Sequence, residues 1–235
     1  MTRHGATKGI KGVTGVTALR NKYGSFSTVS AGAGGSSVAV AGYVAGGSDS
    51  SGTISGIDKV SFPADTKTTL SATLTTGRQN AAGFANSGTA GYAAGGHDGS
   101  AYISGIDKVS FPADSKTTLS ATLTTGRSGI AGFANSGTAG YVAGGYDGGY
   151  ISGIDKITFP ADTKTTLSAT LTTARNGMAG FANSGTAGYV AGGWDGGTIS
   201  GIDKITFAAD TKTTLSATLT TARFLVAGFA DSGTL

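Results

Sequence analysis

The sequence predicts an all-β fold built from four copies of one unit, and three observations support this prediction. Tyrosines recur at steps of 49, 49 and 48 residues, and a period near 50 is typical of propeller blades or solenoid turns. The 235 residues include 42 glycines, no glutamate and one glutamine, so common helix formers are missing. Short runs of Thr, Val, Ile, Tyr and Phe between the glycines favour strands. The repeating tyrosines are Tyr43, Tyr92, Tyr141 and Tyr189.

Each unit contains four strand-like segments, which we take in order from the third copy. Residues 139–145 are apolar and end in a double glycine, and in 150–159 apolar residues punctuate polar ones. After a turn with Pro and Asp, residues 165–173 alternate Leu and Ala with Thr and Ser, which indicates a half-buried strand. Residues 178–182 form the fourth segment and are followed by Asn-Ser-Gly. Four short strands joined by tight turns predict one blade of a β-propeller.

The chain is predicted to be circularly offset, so that it enters the ring of four blades at the strand that ends in a double glycine. We expect residues 227–235 to complete the first blade as a clasp, because an open edge strand is an aggregation hazard. In the competing arrangement, residues 36–40 complete the first blade and the last strand serves a neighbouring subunit.

The charge of the chain belongs to its first residues. Each unit carries three Asp, two Lys and one Arg and is neutral, and Asp231 adds one negative charge to the net charge of +4. We therefore predict two regions, an irregular, basic, Gly- and Thr-rich arm over 1–40 and a repeat domain over 41–235. The arm contains five basic residues and no acidic ones: Arg3, Lys8, Lys11, Arg20 and Lys22.

Two interpretations of the arm stay open, a disordered tail and a docking segment that orders on a partner. Nucleic-acid binding is not expected, since Tyr23 is the single aromatic residue among these charges. No apolar run approaches the roughly 20 residues of a membrane helix, and no apolar segment follows the first charges, so we expect neither a membrane span nor a secretory signal.

The unit resembles a Kelch repeat. The resemblance covers residues 41–235 and rests on a small-apolar strand that ends in Gly-Gly, an apolar or aromatic strand, and a strand that ends shortly before an Arg. It implies a Kelch-like β-propeller of four blades. The blade Trp of that family is absent, and Leu70, Leu119, Leu167 and Leu215 occupy the neighbouring apolar positions. The double glycines begin at Gly46, Gly95, Gly144 and Gly192, and the arginines are Arg78, Arg127, Arg175 and Arg223.

A second resemblance comes from how alike the copies are. The segment Lys-Thr-Thr-Leu-Ser-Ala-Thr-Leu-Thr-Thr recurs unchanged from Lys67, Lys116, Lys164 and Lys212. Repeats of such low divergence resemble modules of bacteriophage tail and fibre proteins.

The sequence predicts no enzyme, no cofactor and no metal site. It has no Cys and two histidines, His4 and His97, which assemble neither a catalytic triad nor a zinc or copper site. The Asp after each double glycine is interpreted as a turn residue, with Ca²⁺ binding as the alternative. Each repeated Arg is interpreted as forking to carboxylates or carbonyls of the adjoining blade, with an anionic sugar as the alternative.

Variable residues within the unchanging frame give the candidate binding site. The residue after the double glycine and one a few positions later differ between copies, as do the three residues after each Arg. Aromatic residues on loops of a rigid scaffold suit contact with a sugar or a protein, although drift at an unconstrained loop would also explain them. The candidate binding residues are His97, Tyr102, Tyr146, Tyr150 and Trp194.

These features lead to the hypothesis of a non-enzymatic virion structural or adhesion module, such as a phage tail or fibre component. The arm would dock on other virion proteins, and the propeller would contact a host-surface glycan or protein. A homo-oligomer in an extracellular virion is expected. The alternative is a Kelch-type protein-interaction scaffold unrelated to virions, with a cytoplasmic location.

Overall fold

All regular structure in the described part of the chain is β-strand. The computed structural model describes residues 16–20, 26–30, 41–62 and 64–230, and divides the chain into two compact units, Met1–Val38 and Ala39–Leu235. No helix occurs in these residues, so none of them forms a long apolar helix of the kind that crosses a membrane. The all-β prediction is therefore confirmed.

The described residues of the first unit form one antiparallel strand pair. β1 (Val16–Arg20) pairs with β2 (Phe26–Ser30) in a register that runs from Val16 opposite Ser30 to Arg20 opposite Phe26. The expectation of an irregular arm is thus wrong for these two segments, whose β-branched and aromatic residues favour strands.

The second unit contains one main antiparallel sheet per repeat. In the described residues the first sheet has three strands, and each of the others has four strands in sequence order. The first sheet contains β3 (Ala41–Ala45), β6 (Ile57–Ser61) and β7 (Thr66–Thr69), with the short pair β4 (Ser48–Asp49) and β5 (Gly52–Thr53) between β3 and β6. The second contains β8 (Ala82–Asn86), β9 (Ala90–Ala94), β10 (Ile106–Ser110) and β11 (Ser115–Thr118). The third contains β12 (Ala131–Asn135), β13 (Ala139–Tyr146), β14 (Tyr150–Thr158) and β15 (Thr163–Thr166). The fourth contains β16 (Ala179–Asn183), β17 (Ala187–Ala191), β18 (Ile202–Thr206) and β19 (Thr211–Thr214).

The first strand of each four-stranded sheet comes from the end of the preceding copy. β8 closes the first copy, yet it pairs with β9, which opens the second, and Phe84 lies opposite Tyr92. β12 and β16 repeat this arrangement. The offset is therefore confirmed at these three junctions, and the prediction that all four segments of one copy form one blade is wrong, because the fourth segment lies in the sheet of the next copy.

The predicted strand over 165–173 is wrong beyond Thr166, where β15 ends. The Leu167 and Leu171 amides still donate to the Ile154 and Ser152 carbonyls, at 2.9 and 2.8 Å, but the chain then leaves the sheet. The reason is a competing partner: the backbone N–H and the hydroxyl of Thr172 donate to Asp203 of the next repeat. Here Leu171 is buried, and its neighbour Thr172 bonds the next repeat. This alternation of apolar and polar residues is the same as that of a half-buried strand, so the sequence pattern cannot distinguish the two structures.

The core lies between consecutive sheets. In one cluster, Ala82, Phe84 and Tyr92 of the second sheet pack with Val142 and Ile157 of the third. β12 packs against β8 on one side and β16 on the other. A Cβ added to Gly132 of β12 would lie 2.6 Å from the Gly83 carbonyl oxygen of β8, so these two strands touch through their backbones.

The predicted clasp is not formed by the described residues. The sheets are separate, and none of them closes on itself. Residues 227–230 are not a strand, and Gly228 lies against Gly180 of β16 and not against β3. Phe229 is 92% exposed. The backbone contact with β16 holds this segment on the fourth sheet; residues 36–40 and 231–235 lie outside the described ranges.

Candidate functional site

The repeated Arg binds the next repeat, as its structural interpretation predicts. The Arg78 Nη2 lies 2.6 Å from the Asp107 carboxylate, and Arg78 Nη1 donates to the Gly95 and Gly105 carbonyls of the same sheet. Both side chains of the ion pair are almost fully buried. A ligand cannot reach the buried guanidinium groups of Arg78, Arg127 and Arg175, which argues against the anionic-sugar interpretation for these three; Arg223 is exposed. The equivalent pairs are Arg127–Asp155 at 3.0 Å and Arg175–Asp203 at 3.1 Å.

Hydrogen bonds from threonines occupy the remaining acceptor positions of each buried carboxylate. Asp107 accepts the Thr75 amide at 2.9 Å, the Thr75 hydroxyl at 2.7 Å and the Thr118 hydroxyl at 2.8 Å. Burial alone would raise the pKa of Asp107, but the bonds from Thr75 and Thr118 and the charge of Arg78 together hold it below its usual value. This Asp is therefore a satisfied ionised group that joins two repeats, and it is not available for acid–base chemistry.

A second inter-repeat contact was missed by sequence reasoning, which interpreted its Asp only as turn chemistry. The Tyr92 hydroxyl donates to Asp162 Oδ1 at 2.8 Å, and Lys108 Nζ donates to Asp162 Oδ2 at 2.6 Å. Asp162 has a φ of 54°, which Asp tolerates in a tight turn and which presents its carboxylate to the preceding sheet. Burial, then the bond to Asp162, raise the pKa of Tyr92. The equivalent contacts join Tyr43 and Lys59 to Asp114, and Tyr141 and Lys156 to Asp210.

The Asp after each double glycine closes a turn, as predicted. Asp98 Oδ1 accepts the Ser100 and Ala101 amides at 2.8 and 2.7 Å, and these bonds lower the pKa of Asp98. Within the described ranges, no group of three or more His, Cys, Asp or Glu side chains is arranged to hold a metal.

The two variable segments meet in pairs at each junction between repeats. Gln79 follows the first Arg, His97 follows the second double glycine, and each of the two backbone amides donates to the other residue's carbonyl at 3.0 Å. The same bridge joins Ser128 to Tyr146 and Asn176 to Trp194. Positions that vary in two separate parts of the unit thus form one surface, which we call the variable surface. The variability of both segments is visible in the sequence, but no residue pattern indicates that they pair.

A backbone ladder sets the variable loops side by side. The Gly129 amide donates to the Asn80 carbonyl at 2.9 Å, Gly177 to Gly129 at 2.8 Å, and Leu225 to Gly177 at 2.7 Å. All four residues have φ between 53° and 64°, a conformation that Gly adopts freely and that costs energy for Leu225. Equivalent loops of consecutive repeats are therefore neighbours, held by main-chain contacts that do not depend on side-chain identity.

Four of the five candidate binding residues form a continuous row of rings. The ring centroids of His97 and Tyr102 are 4.9 Å apart, those of Tyr102 and Tyr146 5.9 Å, and those of Tyr146 and Tyr150 5.3 Å, all edge to face. Each residue is half-buried. This aromatic row crosses from the second repeat to the third, so that its rings are supported by one another and still accessible.

Trp194 occupies the equivalent position in the fourth repeat and has a different neighbour. Its ring centroid lies 5.1 Å from that of Phe224, which is partly exposed. The variable surface therefore contains two aromatic groups, the row and the Trp194–Phe224 pair.

The basic arm residues contribute no described site. Arg20 is the last residue of β1, and Arg3, Lys8, Lys11 and Lys22 lie outside the described ranges.

No protein-family model matches the chain, and none of the curated proteins is similar to it. The candidate site therefore rests on its geometry.

Proposed function

We propose that this protein is a non-enzymatic adhesion module whose variable surface contacts a glycan on a host surface. The observation that supports this most is the aromatic row, in which three tyrosines and His97 present ring edges and faces on an otherwise repeated frame. Aromatic rings combine apolar faces with polar tips, which suits the alternating apolar and hydroxyl surface of a sugar.

The frame beneath the row supports a binding role over a catalytic one. The Arg and Asp side chains of the three buried ion pairs join consecutive repeats, so they are not available to a substrate. Variation is concentrated on loops that a rigid scaffold positions, which is where binding residues are commonly found.

The finer proposal is a Kelch-like propeller of four blades in a virion, as a phage tail or fibre component. The antiparallel four-stranded sheets and the offset between repeat and sheet are compatible with propeller blades. The Gly-Gly strands and the near-identical copies supply the resemblance to Kelch repeats and to phage fibre modules. In this proposal the basic arm docks on other virion proteins and the sheets face outward.

The test replaces His97, Tyr146 and Trp194 together by Ser, the residue that occupies their position in the first repeat as Ser48. Each aromatic contact removed is expected to weaken binding by about 1–2 kcal/mol, so the triple variant should lose more than tenfold in affinity. Binding to immobilised glycans and to host cells would be measured for both proteins, with far-ultraviolet circular dichroism as a check of folding.

Asn183→Ser is the matched control, because Asn183 is exposed at the opposite end of β16 from the variable loops. It should bind like the parent. A parent protein that binds no glycan, or a triple variant that binds as well as the parent, would refute the proposed function.

A further inference from the structure

The large exposed apolar side chains of the described residues all lie at the two ends of the repeat array. Inside the array the third-repeat counterparts of two of them are covered: Val44 is 66% exposed and Val142 is fully buried, and Phe62 is 48% exposed whereas Phe159 is buried. The exposed set contains Val44, Ile54 and Phe62 in the first repeat, and Phe224, Leu225 and Phe229 after the fourth sheet.

The first repeat also exposes the acidic half of both inter-repeat contacts. Asp58 is the counterpart of Asp107, but its side chain is 44% exposed and bonds only Thr69 and Lys67 of its own sheet in the described structure. Asp65 is the counterpart of Asp114 and is exposed. We call Val44, Asp58, Phe62 and Asp65 the leading face.

The fourth repeat exposes the basic half of the same contacts. Arg223 is the counterpart of Arg175, yet it is exposed and forms no ion pair among the described residues. Tyr189 is half-buried, whereas its counterpart Tyr141 is fully buried and bonds Asp210. We call Tyr189, Lys204, Arg223 and Phe229 the trailing face.

A strand partner is also missing at each end of the array in the described residues. In the described residues the first sheet lacks the strand that β8, β12 and β16 supply to the others. Residues 227–230 have the sequence Ala-Gly-Phe-Ala of those strands and lie on β16, with Gly228 against Gly180 as Gly180 is against Gly132. This segment therefore lies where the first strand of a next sheet would lie, and no described strand pairs with it.

We propose that the trailing face of one copy of this chain docks on the leading face of a second copy. Arg223 pairs with Asp58 of the second copy, and Tyr189 and Lys204 bond its Asp65. Residues 227–230 become the first strand of the second copy's first sheet. By analogy with Phe84 opposite Tyr92 and Phe133 opposite Tyr141, Phe229 then lies opposite Tyr43.

A second copy fits because the two faces are the two halves of a junction that the chain already forms internally. The charges are complementary, with carboxylates on the leading face and cations on the trailing face, and the exposed Phe62 and Phe229 are the residues that internal junctions bury. Such a contact joins different patches of the two copies, so it produces a ring if the rotation closes and a filament if it does not. The inference does not depend on glycan binding, and it replaces closure of a four-bladed ring within one chain by contact between copies.

Charge reversal tests the pairing. Asp58→Arg and Arg223→Asp each place like charges across the contact, so each variant alone should lose the concentration-dependent association that the parent shows by analytical ultracentrifugation. An equimolar mixture should associate again, because each contact in the mixture joins an Arg to an Asp. Asp147→Arg makes the same charge change on an exposed turn of the third repeat and should associate like the parent.

Single cysteines test the strand, since the chain has no Cys of its own. Ala45→Cys and Ala227→Cys occupy positions equivalent to Ala143 and Ala131, which are direct partners in the third sheet. Mixing the two variants under oxidising conditions should give a disulfide-linked heterodimer. A parent that stays monomeric at every concentration, a reversed variant that still associates alone, a mixture that does not associate, or the absence of the heterodimer would each overturn the proposal.

Discussion

Arg127 and Asp155 belong to different repeats, yet Arg127 Nη2 lies 3.0 Å from the Asp155 carboxylate with both side chains buried from solvent. Thr124 adds its amide and hydroxyl to the same carboxylate, at 2.9 and 2.7 Å. The pair therefore sits in a network in which each charge is compensated, and the stability of two repeats depends on both partners being present.

Asp155→Asn should be strongly destabilising, because it leaves the Arg127 guanidinium buried without a counter-charge. Removal of one partner from a buried ion pair typically costs about 3–5 kcal/mol in the free energy of unfolding. Urea unfolding followed by circular dichroism would measure the change.

Asp58→Asn is the matched control for this prediction. Asp58 stands in the same Gly-Ile-Asp-Lys motif, but it is partly exposed and no Arg pairs with it in the described structure. Its substitution should shift the unfolding curve far less. Equal losses for the two variants would show that the motif, and not the inter-repeat ion pair, provides the stability.

The column of glycines along the first strands predicts a position-dependent effect of adding one methyl group. A Cβ on Gly132 would lie 2.6 Å from the Gly83 carbonyl oxygen, whereas a Cβ on Gly83 meets nothing described within 4 Å. Neither glycine has a positive φ, so the two differ only in space.

Gly132→Ala should therefore destabilise by roughly 1–3 kcal/mol or more, as overpacking against backbone does. Gly83→Ala should be neutral or slightly stabilising, since Ala reduces the freedom of the unfolded chain. Thermal unfolding of the two variants beside the parent gives the comparison, and a Gly132→Ala protein with an unchanged melting temperature would contradict the close strand contact.

Acid should weaken the array through its buried carboxylates. Burial alone would raise the pKa of Asp107 and of Asp155, but hydrogen bonds and the Arg charges together hold both pKa values below their usual range in the folded protein. The unfolded chain, with Asp near a pKa of about 3.9, then binds more protons than the folded one at low pH. The contribution of these carboxylates to the free energy of unfolding should be fully present above about pH 4–5. It should decline as the pH falls through their lowered pKa values in the folded protein.

The urea midpoint measured from pH 7 down to about pH 2 checks this expectation. The Asp155→Asn variant provides the internal comparison, because it has one titrating group fewer and should lose less stability over the acid range. A midpoint that rises on acidification would contradict the assigned direction of these pKa shifts.

Much of the fold was predictable because its signals are local and repeated. The spacing of Tyr43 and its counterparts predicted the unit, and the lack of Glu predicted strands without helices. The role of Arg78 was also predictable, since a guanidinium repeated at one place in a neutral unit is suited to forked contacts with the adjoining repeat.

The remaining features depend on contacts between residues far apart in the chain, which the local sequence pattern does not specify. Leu171 and Thr172 continue the alternation of a strand, but β15 ends at Thr166 and Thr172 bonds Asp203 of the next repeat. Asp162 reads as a turn residue, and its contact with Tyr92 spans 70 positions. The pairing of Gln79 with His97 joins two variable segments across a junction, and only the three-dimensional arrangement identifies them as one surface.

Because each unit contains both halves of a junction, the number of units in the chain can change by gain or loss of whole units. Every unit contains the Asp that receives the previous unit and the Arg that binds the following one, and its own charge is zero. An in-frame duplication or deletion of one unit by recombination between copies would therefore bring both halves of a complete junction with it. The number of units could then vary without compensating substitutions, while the loop residues of each new copy diversify on their own.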